Sequence, residues 1–157
     1  MPKHSETRLL PWTAAQMFDL VADVCRYPEF LPWVSAVRVR SNSDHEMIAD
    51  LVVGFKSLRE NFTSRVKKDK PTAISVDYVD GPLKFLRNDW RFLDHESGGC
   101  TIDFAVDFAF KSRIFETLAG QVFERALKKM TDAFVERAEV LYGSAPGINS
   151  SSATSAA

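Results

Sequence analysis

The spacing of the hydrophobic residues changes along the chain, and each change predicts a different kind of element. Residues 4–10 alternate loosely between apolar and polar, which predicts a first strand. Residues 13–16 then show a capping-box pattern, a hydroxyl followed three residues later by an amide, before apolar residues at helical spacing over 17–24. In residues 27–33, rich in aromatics, two prolines exclude a long regular helix and predict a short helix or an irregular turn.

From residue 34 to residue 110 the apolar positions recur at every second residue. The alternation is clearest over residues 102–110, where isoleucine, valine and phenylalanine alternate with threonine, aspartate and alanine. An antiparallel sheet that is covered on one face only has this pattern. Clusters of turn residues separate the runs at 41–44, 67–71, 80–82 and 97–99. Short connections of this kind predict a meander of successive strands.

The last long segment, residues 112–142, returns to helical spacing. Ser112 is a candidate N-cap and Gly143 a candidate C-cap, and a helix of this length would reach roughly 45 Å across the sheet. Its predicted stripe toward the sheet is Phe115, Leu118, Val122, Phe123, Ala126, Met130, Ala133, Phe134, Arg137 and Leu141. The element order predicts one α+β domain over residues 1–143. Residues 144–157, small and polar, are expected to be a disordered tail.

Composition narrows the classes of function. The 157 residues suffice for one core, and the net charge of −1 does not favour DNA binding. Cys25 and Cys100 lack metal or disulfide spacing, so we expect both to be buried apolar residues in a reducing compartment. The chain begins without the apolar run of a signal peptide and contains no transmembrane-length apolar run, which predicts a cytoplasmic protein.

Four local sequences carry a resemblance to a known family. They are DVCRYPEFLPW at 23–33, ADLVVGF at 49–55, the GPL turn and following strand over 81–92, and FVERA at 134–138. The chain resembles the coenzyme Q-binding family of START-like domains, also known as the polyketide cyclase superfamily, over about residues 3–143. The resemblance implies the helix-grip fold, a curved antiparallel sheet wrapped around a long C-terminal helix, with two short helices after the first strand.

The resemblance also implies two alternative functions. One branch of the family is taken to bind ubiquinone (coenzyme Q) or a related prenyl lipid and to support respiration, without a covalent cofactor. A bacterial branch is described as a toxin that binds ribosomes and blocks the association of their subunits. The first alternative is our main prediction, because the near-neutral charge gives little support to ribosome binding. A protein with this function could contact a membrane surface transiently, as a peripheral protein of the inner membrane. The absence of an evident transit peptide favours a bacterial origin.

The 12 phenylalanines and the tryptophans suggest where a hydrophobic ligand would bind. The candidate ligand-binding residues are Phe30, Leu31, Trp33, Glu60, Asn88, Trp90, Phe92, Phe104, Phe108, Phe115, Leu118, Val122 and Phe123. Apolar side chains between a helix and a curved sheet either line a cavity or fill a dry core. Residues 27–33 form either a gate that touches membranes or a rigid plug. Glu60 and Asn88, predicted to face inward, bind either a ligand headgroup or a neighbouring backbone or charged group.

No pattern predicts a catalytic or metal site. His4, His45 and His95 are scattered and lack metal-binding spacing, and the serines and cysteines lack a nucleophile motif. Glu60 is the one candidate acid or base for a cyclase-like reaction, and nothing pairs with it. The basic residues at 67–70 and 128–129 are typical of solvated surfaces, although a ribosome-binding protein would need such residues in one patch.

Overall fold

The strands and helices begin and end where the spacing of apolar residues changes. A computed structural model describes residues 3–55 and 58–143, apart from the side chains of Phe55, Leu58, Phe115, Leu118, Ala119, Val122 and Phe123. The elements in chain order are β1 (Lys3–Leu10), α1 (Ala14–Ala22), the 3-10 helix Val24–Glu29, β2 (Val34–Asn42), β3 (Glu46–Phe55), β4 (Leu58–Asp69), β5 (Ala73–Asp80), β6 (Leu83–Asp94), β7 (Cys100–Phe110) and α2 (Arg113–Tyr142). The predicted domain over residues 1–143 stays a prediction as a unit, and the predicted tail lies outside the described residues.

The described strands form one seven-stranded sheet in the order β1-β7-β6-β5-β4-β3-β2. Every neighbouring pair is antiparallel, so β2 to β7 form the predicted meander and β1 pairs with β7 at the far side. The helices cover one face of this sheet, where the alternating apolar residues are buried. This arrangement confirms the predicted α+β class and the helix-grip architecture.

The two short helices after β1 also follow the prediction. Thr13 caps α1: its hydroxyl accepts a hydrogen bond from the Gln16 backbone N–H at 3.1 Å, and the Gln16 side chain accepts one from the Thr13 N–H at 2.9 Å. This reciprocal pair satisfies backbone donors that the first turn leaves free. After α1 the chain makes a 3-10 helix that contains Pro28.

The stripe predicted for α2 is wrong at its C-terminal end. Leu141 is 48% exposed, whereas Ala138 is buried although it was not predicted to be; in the middle of the helix, Leu127 is buried too. Leu141 is exposed because of the position of Tyr142, whose hydroxyl donates to the backbone carbonyl oxygen of Gln16 in α1 at 3.0 Å. Because Tyr142 faces α1, the adjacent Leu141 points away from it.

One of the two cysteines departs from the prediction. Cys100 is fully buried, and burial raises the pKa of its thiol to about 11. Cys25 is exposed, so its predicted burial is wrong. It lies in a 3-10 helix of six residues, in which Val24 is buried and Tyr27 packs against the core.

Candidate functional site

A cavity of about 150 Å³ lies between the inner face of the sheet and α2, and it is not fully enclosed. Strands β2 to β7 supply one side, α2 the opposite side, and α1 with the segment that follows it closes one flank. The described lining residues are Val21, Val24, Tyr27, Leu31, Trp33, Val34, Leu51, Val53, Phe62, Ser64, Val66, Ile74, Val76, Leu86, Asn88, Trp90, Val106, Ala126, Leu127, Met130 and Phe134. The lining is therefore almost entirely apolar.

Small side chains at facing positions explain why space remains here. On β4, Phe62, Ser64 and Val66 share the inner face, and Ser64 is much smaller than the two apolar residues beside it. Ala126 takes the corresponding role on α2, where it is buried and contributes only a methyl group. Protein interiors otherwise pack to high density, so two short side chains on opposite sides leave room that their larger neighbours do not fill.

Asn88 is the principal polar group of the lining, and its neighbours hold it in one orientation. Its amide nitrogen donates to the carbonyl oxygen of Ala105 at 2.9 Å, and the indole N–H of Trp90 donates to its amide oxygen at 2.9 Å. The side chain is buried, as its predicted inward orientation requires. Of the two alternatives for Asn88, the bond to a neighbouring backbone group is confirmed. An amide nitrogen carries two hydrogens, so one remains for a further acceptor.

Tyr27 anchors the segment that closes the flank. Its hydroxyl donates to the carbonyl oxygen of Val21, and its ring meets those of Phe30 and Phe134 edge-on at 5.8 and 5.4 Å. Burial, with a smaller contribution from the nearby negative charge of Asp23, raises the pKa of the Tyr27 hydroxyl far above its usual range. Tyr27 therefore remains a neutral hydrogen-bond donor at physiological pH.

A second set of contacts holds the same segment against α2. Arg137 on α2 forms an ion pair with Glu29 at 2.6 Å, and its guanidinium lies 5.3 Å from the centre of the Phe30 ring. The ion pairs of Glu29 with Arg26 and Arg137 lower the pKa of its carboxyl group. Aromatic, ionic and hydrogen-bonded contacts thus hold this short segment against α1 and α2, and its role as a gate or a plug stays a prediction.

The structure brings four of the predicted ligand-binding residues together in the lining, Leu31, Trp33, Asn88 and Trp90. Phe92, Phe104 and Phe108 are buried but are not among the described lining residues. Phe92 and Phe104 instead support the ring of Trp90, with ring centres 6.2 and 4.7 Å from it.

The remaining candidates lie elsewhere or cannot be placed. Phe30 packs on Phe134 with ring centres 5.1 Å apart, and Glu60 is half-buried opposite Val53 across β3 and β4. Neither is among the described lining residues. The side chains of Phe115, Leu118, Val122 and Phe123 lie outside the described part of the chain. Ligand binding by any of the thirteen candidates stays a prediction.

Sequence reasoning missed several lining residues that come from β3, β4 and α2. Leu51 and Val53 on β3 and Phe62 on β4 lie within the alternating segment 34–110 that predicted the sheet, but nothing singled them out as a site. Leu127 and Met130 line the cavity from α2. The signal that could have found them is the conjunction of Ser64 and Ala126, two small residues at inward positions.

The described residues contain no group of three or more histidines, cysteines or acidic residues placed to hold a metal ion. Among the described helices, none combines the length and the apolar character needed to cross a bilayer.

The chain is similar in sequence to a known family and to named proteins. The model of the family described as polyketide cyclase/dehydrase and lipid transport matches residues 10–135. The chain is 38% identical over 135 residues to the ribosome association toxin RatA of Pseudomonas aeruginosa, covering 86% of this chain and 94% of that protein. It is 35% identical over 145 residues to the mitochondrial coenzyme Q-binding protein COQ10 homolog B of Xenopus laevis, covering 90% of this chain and 59% of that protein.

Among solved structures, one that is similar to this chain in fold is an enzyme. The Zhui aromatase/cyclase from Streptomyces sp. R1128 superposes with a TM-score of 0.79, at 17% identity, covering 94% of this chain and 99% of that one. At this identity the likeness supports the helix-grip fold and carries no argument about chemistry.

Proposed function

Because the chain belongs to the polyketide cyclase/dehydrase and lipid transport family, as its sequence predicted, we propose that it binds a hydrophobic small molecule without transforming it. The finer proposal is ubiquinone or a related prenyl lipid, carried in support of respiratory electron transport. The similarity to a coenzyme Q-binding protein supports the choice of ligand. We place the protein in the cytoplasm, with transient contact to the inner membrane, where a prenyl ligand would be loaded and released.

The almost wholly apolar cavity is the observation that carries this proposal. A dry apolar cavity of about 150 Å³ is large enough to bind benzene, whereas whole drug-sized ligands need about 300 Å³ or more. The cavity therefore suits a single ring, with a longer tail leaving through the open side. Burying about 120 Å² of ring surface would contribute roughly 3 kcal/mol. The free amide hydrogen of Asn88 would donate to a ring carbonyl and set its orientation.

The polar groups of the lining favour binding over catalysis. General acid–base catalysis needs a group whose pKa lies near the working pH. Tyr27 is the one titratable side chain among the described lining residues, and its pKa is raised while its hydroxyl already donates to Val21. Asn88 and Ser64 can orient a ligand, but neither exchanges a proton readily. These features support a carrier or chaperone.

Tryptophan fluorescence tests the proposal directly, because Trp33 and Trp90 line the cavity while Trp12 is buried elsewhere. We expect a short-chain ubiquinone analogue to quench the emission saturably. Trp90→Phe should remove a large part of the quenching. The matched control Trp12→Phe should leave the quenched amplitude unchanged. Equal quenching losses in both variants, or no saturable quenching together with lipid-free solvent extracts of the purified protein, would refute binding in this cavity.

The alternative function, ribosome binding that blocks subunit association, also has specific support. A relative named as a ribosome association toxin matches nearly the whole described chain. The outer face of β2 and β4 also exposes Arg38, Arg59 and Lys67, which form no ion pair with any residue that the structure describes. The acids beside them, Asp50 and Glu46, already pair with Arg40 and Arg65, so bases outnumber acids on this face. Bases in excess of their acidic partners can neutralise RNA phosphates. The net charge of the whole chain hides this local excess.

Cosedimentation with large ribosomal subunits at low salt tests this alternative. The logarithm of the association constant falls linearly with the logarithm of the salt concentration, and each lost phosphate contact should make this slope shallower by about 0.7 to 0.9. R38Q/R59Q/K67Q should therefore make it shallower by about 2 to 3. The variant R125Q/K128Q/K129Q, with the same charge change on the exposed side of α2, is the control and should keep the original slope. Absence of binding by the unmodified protein at low salt would reject the alternative.

A further inference from the structure

Two turns meet at one end of the sheet, and an exposed apolar side chain lies next to each of them. The backbone N–H of Lys111 donates to the carbonyl oxygen of Pro82 at 3.4 Å, and Leu83 pairs with Phe110, so the β5–β6 and β7–α2 turns lie side by side. Ile114, in the first turn of α2, is 75% exposed, and Val79, near the end of β5, is 48% exposed. We name this end, comprising residues 79–85 and 110–114, the apolar tip.

Basic residues surround the apolar tip. Lys84, Lys111 and Arg113 are exposed, and none of them forms an ion pair with another residue in the described ranges. The exposed acids nearby are Asp80 at the end of β5 and Glu116 in α2. Burial, with the charges of Asp80 and Glu60, raises the pKa of Tyr78, so the half-buried Glu60 also lies near this end. The three exposed bases therefore face solvent beside two exposed acids. Long basic side chains around exposed apolar ones are typical of surfaces that lie in the interface of a bilayer.

The apolar tip is also close to the cavity. Strand β6 runs from Lys84 in the tip to Leu86 in the cavity lining, a distance of about 7 Å at the usual rise per residue. A ligand that enters or leaves at this end would travel only a short way between a surface in contact with the tip and the lining.

We propose that the apolar tip docks on the surface of an anionic lipid bilayer, with Ile114 and Val79 entering the interface and Lys84, Lys111 and Arg113 contacting lipid headgroups. This inference rests on the proposed function, since a carrier of a prenyl ligand exchanges it with a membrane. The exposed isoleucine favours a bilayer over RNA, because a phosphate backbone offers no apolar environment for it.

Vesicle flotation of the ligand-free protein tests the proposal. We expect binding to vesicles of phosphatidylcholine with 30% phosphatidylglycerol at low salt, and much weaker binding to phosphatidylcholine alone. Each base near an anionic surface contributes about fivefold in affinity, so K84Q/K111Q/R113Q should weaken binding about 100-fold. Ile114→Asn should weaken it at least about 10-fold, since it removes an inserted apolar side chain.

Two controls match these variants. R125Q/K128Q/K129Q makes the same charge change on α2, and Leu9→Asn replaces a side chain that is 77% exposed on the outer face of β1. Neither should weaken vesicle binding more than about twofold. The proposal is overturned if the unmodified protein does not float with anionic vesicles, or if the controls lose as much binding as the tip variants. A loss of ribosome cosedimentation in K84Q/K111Q/R113Q without any vesicle binding would assign the tip to RNA and overturn it equally.

The failure of this inference can be told apart from the failure of the proposed function. Saturable quinone quenching without flotation would reject docking by the tip and leave the ligand cavity supported. Flotation that depends on the tip without any quinone quenching would support the docking surface and reject the quinone ligand.

Discussion

Filling the cavity by Ala126→Phe is expected to lower the affinity for a quinone analogue about 100-fold. Ala126 is buried on α2 and lines the cavity, so a longer side chain at this position enters the space that a ligand would use. A cavity of about 150 Å³ holds one benzene-sized ring, so a phenyl group and a quinone ring exclude each other. Losing the roughly 3 kcal/mol from ring burial corresponds to about 100-fold in the dissociation constant. Fluorescence titration measures it.

A second filling variant and a surface control keep this test decisive. Val76→Phe fills the same cavity from β5 and should have a similar effect, which protects the test if one substitution disturbs folding. Val140→Phe places the same ring at a position on α2 that is 74% exposed and should leave the affinity unchanged. If both filling variants keep a native circular dichroism spectrum and bind the analogue as well as the unmodified protein, the ligand does not occupy this cavity.

Phe134→Ala is expected to lower the free energy of unfolding by about 3 to 5 kcal/mol, the usual cost of deleting a buried aromatic side chain. Phe134 is 1% exposed and lies at the centre of an aromatic cluster. Its ring centre is 5.1 Å from those of Phe30 and Trp90 and 5.4 Å from that of Tyr27. It therefore joins α2 both to the sheet and to the segment after α1. Removing the ring loses its transfer free energy and leaves unfilled space.

Thermal unfolding measures this loss. For a chain of this length a change of 3 to 5 kcal/mol corresponds to a fall in Tm of about 6 to 20 °C. Val140→Ala, at an exposed position on the same helix, is the control and should change the free energy of unfolding by no more than about 0.5 kcal/mol. A Tm for Phe134→Ala within a degree or two of the control would show that the cluster does not connect α2 to the rest of the core.

Two separate surfaces support the two proposed functions. The cavity would account for the proposed binding of a hydrophobic ligand, and the exposed bases on the outer face of β2 and β4 would account for the proposed contact with RNA. Because these surfaces lie on opposite faces of the sheet, a variant of one need not disturb the other. The fluorescence and cosedimentation experiments therefore report on independent parts of the molecule.

Local spacing was enough to predict most of the fold from the sequence. A strand has a period of two and a helix a period of 3.6, so the alternation over residues 102–110 and the helical pattern over 112–142 each identify one element. The capping box at Thr13 and Gln16 is equally local, since both partners lie within one turn. The inward orientation of Asn88 could be predicted because Asn88 lies two residues before Trp90 and so shares its face of the strand.

Contacts between distant parts of the chain decided what the spacing could not. Leu141 is exposed because Tyr142 bonds to Gln16, a contact that no local pattern contains. Asn88 is held by Ala105 on the neighbouring strand, and this partner depends on the register of β6 against β7.

The sequence by itself determined the elements, their order and the apolar face of the sheet, because those depend on residues close together in the chain. Only the tertiary structure decided which aromatic residues line a cavity and which fill the core. Trp90 and Phe104 share one apolar face, yet only Trp90 is among the described lining residues. The space beside it depends on Ser64 and Ala126, two small residues on different elements. Packing brings such residues together, and the spacing of residues within one element carries no information about it.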